Sequence, residues 1–165
     1  MRHRVCAMGD FLSIENYVPH RGVMLLLDRL LQADTEGAVA EVTVPRDGLF
    51  LQDQGMPAWV GLEYMAQAVA AWAGWQAAQV QQPVKLGFLL GTRKFVAERA
   101  FFAPGECLQV RVHCELVGEN GLGMFACSIT AQGQELATAR ISVYEPVDGS
   151  AYIHALEKQG VEVKQ

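Results

Sequence analysis

The chain has 165 residues, of which 51% are hydrophobic and 19% are charged, and its formal net charge is −5. This length suits a single domain, and the apolar fraction excludes intrinsic disorder as the default. The acidic balance argues against a nucleic-acid binder, which usually carries a strong basic excess. Much of the apolar content lies in one run, residues 56–80, whose only charged side chain is Glu63.

The first part of the chain predicts a short helix followed by two strands. A helix over 10–17 is expected to end before Pro19, because the residue ahead of a proline avoids the α region. An apolar block opens a predicted strand over 23–33, and residues 34–37 have the composition of a turn. Alternation of apolar and polar residues over 38–44 then indicates a returning strand.

The apolar run is predicted to be a long helix. A loop over 45–56 leads to Pro57, which suits the first turn of a helix, and the helix is expected to reach about Gln79 and to stop before Pro83. The run is long enough to span a bilayer, which needs about 20 apolar residues. It is rich in Ala, however, and it contains Glu63, so a helix buried inside a folded domain is the favoured interpretation.

Downstream of the helix the period of the apolar residues changes from 3.6 to 2. Residues 107–117 alternate strictly, and a turn at 118–121 leads into a predicted strand over 124–131. A second turn leads into a strand over 136–144. One long helix and antiparallel strands of similar length predict an α+β fold in which a curved sheet wraps around the helix. So small a sheet leaves an edge exposed, and pairing with a second copy is expected.

Domain organisation and compartment follow from what the sequence lacks. With no repeat or linker, we interpret residues 1–165 as one domain with a core over about 10–146 and flexible ends. The basic N-terminus has no apolar segment behind it and is not typical of a secretory signal. The four cysteines show no metal-ligand spacing, so we expect no metal and a reducing, cytoplasmic setting.

Several motifs resemble those of bacterial 3-hydroxyacyl-acyl-carrier-protein dehydratases. They are PHRGVMLLLDR at 19–29, MPAWVGLEYMAQ at 56–67, LLGTRKF at 89–95 and PGE at 104–106. The resemblance runs in order through residues 10–146 and implies a hotdog fold, in which a sheet wraps a long central helix. Within that family, the chain is similar to the dehydratase-like subunits of aryl polyene and related fatty-acid-type gene clusters.

The resemblance also assigns roles to residues. It implies that Glu63 is the helix carboxylate that assists departure of the C3 hydroxyl of the substrate. Substrate contacts are implied for four residues, Phe50, Met56, Ala58 and Gln67. Ala58 stands where the family has a glycine whose backbone N–H holds the thioester carbonyl. Gln67, one helical turn after Glu63, is placed to hydrogen-bond to it, and a structural role is the alternative. In the family a loop histidine, fourteen residues before the glutamate, removes the C2 proton, and that position is Leu49 here. Because leucine accepts no proton, the active site of this chain alone is expected to be incomplete.

No other residue is a convincing substitute for the missing base. His113 lies on the polar face of an alternating strand, and His3 and His154 lie near the ends of the chain. His20 belongs to the PHR turn, which also occurs in family members that keep the loop histidine. Asp53 in the loop is a distant candidate.

The leading hypothesis is a dehydratase-type subunit for 3-hydroxyacyl thioesters of acyl carrier protein. Because dehydratases of this family place their sites at a two-fold interface, the partner is expected to be a second copy or a paralogue that supplies the histidine. The alternatives are a hotdog thioesterase, in which the helix carboxylate activates water, and a non-catalytic acyl-binding or stabilising subunit. No cofactor, nucleic acid or membrane partner is expected.

Two further groups of side chains have competing interpretations. Arg93, Lys94 and Arg99 lie where the family places basic residues that dock the carrier protein, but an ordinary solvated strand edge would look the same. Four aromatic residues either line an acyl tunnel or belong to the core or a dimer contact: Trp59, Tyr64, Trp72 and Trp75.

Overall fold

The described part of the chain, residues 10–160 of a computed structural model, contains eight strands and two α-helices. The strands are β1 (Arg29–Ala33), β2 (Gly37–Thr43), β3 (Met56–Pro57), β4 (Phe88–Ala97), β5 (Phe101–Phe102), β6 (Cys107–Val117), β7 (Leu122–Ala131) and β8 (Gln134–Tyr144). The helices are α1 (Gly61–Gln79) and α2 (Gly149–Lys158). Six strands form one antiparallel sheet in the order β1-β2-β6-β7-β8-β4, and β3 pairs with β5 in a separate small sheet.

Helix α1 lies against one face of the large sheet and packs mainly on β2 and β6. The side chains it turns to the sheet are almost wholly buried: Tyr64, Met65, Ala68, Val69, Ala71 and Trp72. Apolar side chains from alternate positions of the strands meet them, as Leu108, Val110 and Val112 do on β6. This arrangement is the predicted α+β hotdog architecture, and it shows that the apolar run forms a core helix. Among the helices within residues 10–160, none is long and apolar enough to cross a membrane.

The predicted meander of the second half is confirmed. Strands β6, β7 and β8 pair consecutively, with the register Val110 opposite Ile129 and Phe125 opposite Ile141. The apolar alternation breaks at the end of β6, where the register shifts between Cys114 and Leu116. Leu116 is consequently exposed, although the sequence pattern placed it on the same face as the buried residues.

Two predictions for the first part of the chain are wrong in extent. The helix expected over 10–17 is a single 3-10 turn at Ile14–Asn16, and the strand expected over 23–33 begins only at Arg29. Residues Gly22–Met24 form another 3-10 turn. The strand begins late because the Met24 carbonyl and the Leu26 N–H are hydrogen-bonded to the side chain of Gln67 on α1 rather than to a neighbouring strand.

The helix itself also starts later than predicted. Pro57 pairs with Phe101 in the small sheet, and a 3-10 turn at Ala58–Val60 comes before α1. The predicted end near Gln79 is confirmed.

Strand β4 and helix α2 are not predicted by the sequence pattern. The residues of β4 are almost entirely exposed, and they form a strand because they pair with β8 at an edge of the large sheet. Helix α2 follows the predicted core, with the Asp148 carboxylate accepting the Ala151 N–H at 3.0 Å.

The described cysteines lie on strands and carry free thiols. Cys127 on β7 is buried, and burial raises the pKa of its thiol to about 12. Cys107 on β6 is exposed. Cys6 lies outside the described residues.

At Gly74, helix α1 passes close to the backbone of the N-terminal segment. A Cβ at this position would overlap the backbone carbonyl of Tyr17. We expect Gly74→Ala to lower the free energy of unfolding by about 2 kcal/mol, because either backbone must move to relieve the overlap. Urea unfolding followed by circular dichroism measures the change. Gly87→Ala is the matched control, since its Cβ would meet only the Tyr144 oxygen at an ordinary 3.8 Å, and an equal loss in both variants would contradict the prediction.

Candidate active site

Glu63 lies in the first turn of α1, where the chain leaves the 3-10 turn and enters the helix. Its side chain is 35% exposed, so the lone charge of the apolar run is neither fully buried nor free in solvent. Position 63 falls on the face of α1 that turns away from the deepest part of the core. A carboxyl group in this half-buried position needs polar neighbours, because burying an unpaired charge is costly.

Gln67, one helical turn further along, is the first of these neighbours. Its Nε2 donates to Glu63 Oε1 at 2.9 Å, so the hydrogen bond expected between the two side chains is present. The same amide donates to the Met24 carbonyl at 2.7 Å and accepts the Leu26 N–H at 2.9 Å. Gln67 is the buried polar side chain of the described core, and these bonds explain why its burial is tolerated. It joins the loop before β1 to the face of α1 that carries Glu63.

His20, considered from sequence only as a substitute base, is the second neighbour, and no sequence pattern predicted its approach to Glu63. Its Nε2 lies 3.7 Å from Glu63 Oε1, although the two residues are far apart in the chain. Burial lowers the pKa of His20, the Glu63 charge raises it, and the Arg21 charge lowers it, with a net shift below the usual 6.5. The imidazole is therefore mostly neutral at pH 7. The Nδ1 atom of His20 is buried and has no hydrogen-bond partner among the described residues.

The PHR turn owes its shape to Arg21. The guanidinium group donates to three backbone carbonyls, those of Val18 at 2.6 Å, His20 at 2.7 Å and Glu15 at 2.9 Å. These bonds fix the turn and hold the His20 ring against α1. The motif thus has a structural residue, Arg21, beside one that reaches the site. The available sequence signal was His20, a polar side chain in the turn before the apolar block at 23–27. The sequence does not show that this side chain approaches Glu63 on the helix.

A cavity of about 610 Å³ opens beside Glu63 and His20. Its floor is a row of small side chains on α1: Ala66, Ala70, Ala73 and Ala77. From Glu63 to Ala77 the cavity follows the helix for about 21 Å, at a rise of 1.5 Å per residue. Its far end is lined by residues of β4, β7 and β8, including Phe88, Phe125 and Tyr144. A carboxyl group therefore stands at one end of a long, mostly apolar space.

The other predicted substrate contacts occupy different surroundings. The Ala58 N–H, expected to face a thioester carbonyl, donates to the Ala100 carbonyl at 2.9 Å. Met56 is 1% exposed and belongs to the core. Phe50 has a φ of 67° and packs edge-on against Trp59, with ring centroids 5.9 Å apart. None of these three residues, nor Gln67, is among the described residues that line the cavity.

Leu49, at the position where the resemblance implies a histidine, is 46% exposed on the loop before β3. Asp53, the distant alternative, is also exposed on this loop. His113 is exposed on β6 as expected. His154 lies on α2, 3.3 Å from Glu157, and His3 lies outside the described residues.

The four aromatic residues separate into different roles. Trp72 lines the cavity, and its Nε1 donates to the Asp34 carbonyl at 2.8 Å. Tyr64 is buried against Phe102, and burial, followed by the Asp28 charge, raises the pKa of its hydroxyl to about 12. Trp59 is exposed and Trp75 packs at the edge of the core. Only Trp72 of the four is among the described cavity residues.

The three candidate docking residues lie along one exposed margin. Arg93 and Lys94 are exposed on β4, and Lys94 has a positive φ of 53° at the irregularity in that strand. Arg99 lies in the following turn and donates to Glu106 Oε1 at 2.6 Å. Arg93 and Lys94 therefore form no ion pair among the described residues, whereas the charge of Arg99 is neutralised by Glu106.

Beside the His20 imidazole, the chemistry available at this end of the cavity is that of the Glu63 carboxyl group. In its acid form it can protonate a leaving oxygen, and in its ionised form it can accept a proton. Within residues 10–160, no group of three or more His, Cys, Asp or Glu side chains is arranged to hold a metal ion.

Comparison with known proteins identifies the family of this arrangement. The ApeP-like family, described as ApeP dehydratase, matches residues 12–154. The 3-hydroxyacyl-[acyl-carrier-protein] dehydratase FabZ of Shewanella denitrificans is 30% identical over 139 residues, covering 80% of this chain and 89% of that protein. The FabZ of Shewanella frigidimarina matches to the same extent.

Solved structures agree with this. The dehydratase heterocomplex ApeI:P from Xenorhabdus doucetiae contains a chain that is 30% identical, with a TM-score of 0.81, covering 88% of this chain and 98% of that one. A hypothetical thioesterase from Streptococcus pneumoniae, 13% identical with a TM-score of 0.56 over 71% of this chain and 84% of that one, shares the fold. The sheet, the central helix with its carboxyl group and these matches together establish that the chain belongs to the ApeP-like family of hotdog dehydratases.

Proposed function

We propose that this chain is a dehydratase subunit for 3-hydroxyacyl thioesters of acyl carrier protein, in fatty-acid or aryl polyene biosynthesis. The observation that carries the proposal is Glu63, held at one end of a long, mostly apolar cavity in a dehydratase fold. In this proposal the chain supplies the acid and a partner subunit supplies the base.

The reaction divides between two groups. A base removes the proton from C2 while Glu63, in its acid form, gives a proton to the C3 hydroxyl. The C3–O bond breaks, water leaves, and the electron pair of the C2–H bond forms the C2=C3 double bond. The base is then protonated and Glu63 ionised, so a proton must return to Glu63 before the next turnover. Gln67, which donates to Oε1 in the ionised form, stabilises that intermediate charge state.

The cavity supports an acyl substrate. Its floor of alanines on α1 leaves space beside the helix, and the row extends for about 21 Å from the carboxyl group. An extended acyl chain adds roughly 1.3 Å per carbon, so this length suits a chain of many carbons rather than a short acid; apolar lining is typical of such sites. The reacting C2 and C3 atoms would lie at the Glu63 end.

The missing base motivates the partner. Leu49 stands fourteen residues before Glu63, where the resemblance implies a histidine, and its apolar side chain accepts no proton. A site completed across an interface would need this chain to join a second subunit. Strand β4 is suited to such an interface, because it is one of the two edges of the large sheet and carries the exposed apolar residues Leu89, Leu90 and Val96. The ApeI:P relative was solved as a heterocomplex, which is consistent with this arrangement.

Mixing experiments test the division of labour. The purified chain alone is expected to dehydrate a 3-hydroxyacyl-carrier-protein substrate slowly, and addition of a dehydratase paralogue that carries the loop histidine is expected to raise the rate. Mass spectrometry of the carrier protein follows the loss of one water. Equal rates with and without the paralogue would contradict the shared site. Hydrolysis of the thioester by the pure chain, lost in Glu63→Gln, would instead indicate a thioesterase.

Carrier-protein docking is a separate prediction. We expect the Arg93→Ala/Lys94→Ala double variant to bind acyl carrier protein roughly tenfold more weakly, because rim charges attract an acidic partner. The affinity of the parent protein should also fall as salt increases. Fluorescence anisotropy with labelled carrier protein measures both. Arg140→Ala is a control, since Arg140 is already paired with Glu115 at 3.1 Å. Unchanged binding by the double variant would show that Arg93 and Lys94 do not dock the carrier protein.

A further inference from the structure

We propose that His20 is a positioning residue for Glu63: it holds carboxyl oxygen Oε1 together with Gln67, so that Oε2 carries the reacting proton. The inference rests on the proposed dehydratase function, because it assigns a role within the same site. It concerns this chain's own residues and does not depend on which subunit supplies the base.

Two nitrogen atoms approach the same oxygen of Glu63 from different parts of the chain. Gln67 Nε2 lies 2.9 Å from Oε1 along α1, and His20 Nε2 approaches it from the PHR turn to 3.7 Å. The first contact is a hydrogen bond, and the second becomes one if the histidine ring moves by roughly 0.7 Å. An oxygen that faces two donors is the poorer site for a proton. The acid proton is therefore placed on Oε2, the oxygen left for the substrate.

The tautomer of His20 follows from its surroundings. Next to a carboxylate, a neutral imidazole places an N–H rather than a lone pair on the facing nitrogen, which here is Nε2. The lone pair then lies on Nδ1, which is buried and unpartnered among the described residues. Burying an acceptor without a hydrogen bond costs less free energy than burying an N–H without one. Nε2 already carries a proton and the Nδ1 lone pair is buried out of reach of a substrate, which is why we assign His20 to positioning and not to the role of the base.

The surrounding structure fixes His20 firmly enough for this task. Arg21 donates to the backbone carbonyl of His20 and to that of Val18, so the turn that holds the ring cannot shift without losing these bonds. The charged groups that act on the ring are Glu63, from α1, and Arg21, from its own turn. Burial opposes protonation of the imidazole, which keeps it a neutral donor at pH 7.

Side-chain nitrogen NMR of the purified chain tests the pair without any activity. The ¹⁵N shifts of His20 are expected to report the Nε2–H tautomer and a pKa below 6.5. In Glu63→Gln the pKa of His20 should fall further, because the Glu63 charge raises it in the parent protein. An Nδ1–H tautomer, or a His20 pKa that is unchanged by Glu63→Gln, overturns the inference.

Kinetics test the consequence in the complete dehydratase mixture. His20→Ala is expected to lower kcat roughly 10- to 100-fold with KM little changed, as for loss of a hydrogen bond to a charged group. His20→Gln, whose amide can donate from a similar place, should recover most of that loss. His154→Ala is the matched control, a histidine 3.3 Å from a glutamate but exposed on α2, and it should be silent.

The two failures are distinguishable. If the parent mixture dehydrates substrate and folded His20→Ala is equally fast, the inference is wrong and the proposed function stands. If His20→Ala fails to fold, His20→Phe, which keeps the ring volume without a donor, replaces it, and full activity in that variant again overturns the inference. If no mixture dehydrates substrate, the proposed function is wrong, and the NMR titration still decides whether His20 and Glu63 act as a pair.

Discussion

Replacing Glu63 with glutamine is expected to lower kcat for dehydration by about 10²–10⁴-fold in the complete mixture. Glutamine keeps the size of the side chain and can still meet Gln67, but it has no proton to give to the leaving hydroxyl. Because Glu63 is 35% exposed and sits in the first turn of α1, the substitution should leave the fold intact. Single-turnover dehydration, followed by mass spectrometry of the carrier protein, measures the chemical step directly.

Glu145→Gln is the matched control for that experiment. Glu145 lines the far end of the same cavity and lies 4.0 Å from Lys85, so it alters the charge of the cavity without touching the proposed chemistry. Its activity should remain within a few-fold of the parent. A Glu63→Gln variant with parental kcat would show that this chain contributes no acid, and it would favour the non-catalytic role considered from the sequence.

Replacing Gln67 with methionine is expected to destabilise the protein by about 3 kcal/mol. The two side chains have similar volumes, so the change removes hydrogen bonds without leaving a cavity. It leaves the Leu26 N–H and the Met24 carbonyl without their partners in a partly buried place. It also releases Glu63, so kcat should fall in the same variant. Chemical unfolding and steady-state kinetics provide the two measurements.

The Gln76→Met variant tests whether the loss of stability depends on the position of Gln67 or would follow from any exchange of glutamine for methionine on α1. Gln76 lies on the same helix and lines the cavity, but it holds no loop to the helix. Its substitution should change the free energy of unfolding by less than about 0.5 kcal/mol, as for most exposed or half-exposed sites. If Gln67→Met changes the free energy of unfolding equally little, the hydrogen bonds between Gln67 and residues 24–26 do not stabilise the fold.

Much of the fold could be predicted from local pattern. Strands β6, β7 and β8 have alternating apolar residues and turn residues between them, and such pairs form between neighbours in sequence. The long apolar run had to be buried, and a curved sheet is the element available to bury it. The segment before β1 was predicted incorrectly because Gln67, more than forty residues away, takes its backbone hydrogen bonds. Helix propensity and alternation carry no information about such a partner.

For the site, the sequence by itself determined that one carboxyl group, Glu63, stands in an uncharged helix, and that Leu49 provides no base. Both are statements about side-chain type, which a sequence states directly. The tertiary structure decided the neighbours: His20 comes to 3.7 Å from Glu63, and the N–H of Ala58 is taken by Ala100. It also decided that the half-buried alanines of α1 border a cavity. These contacts join segments that are remote in the chain, so they form only when the helix packs against the sheet and the PHR turn packs against the helix.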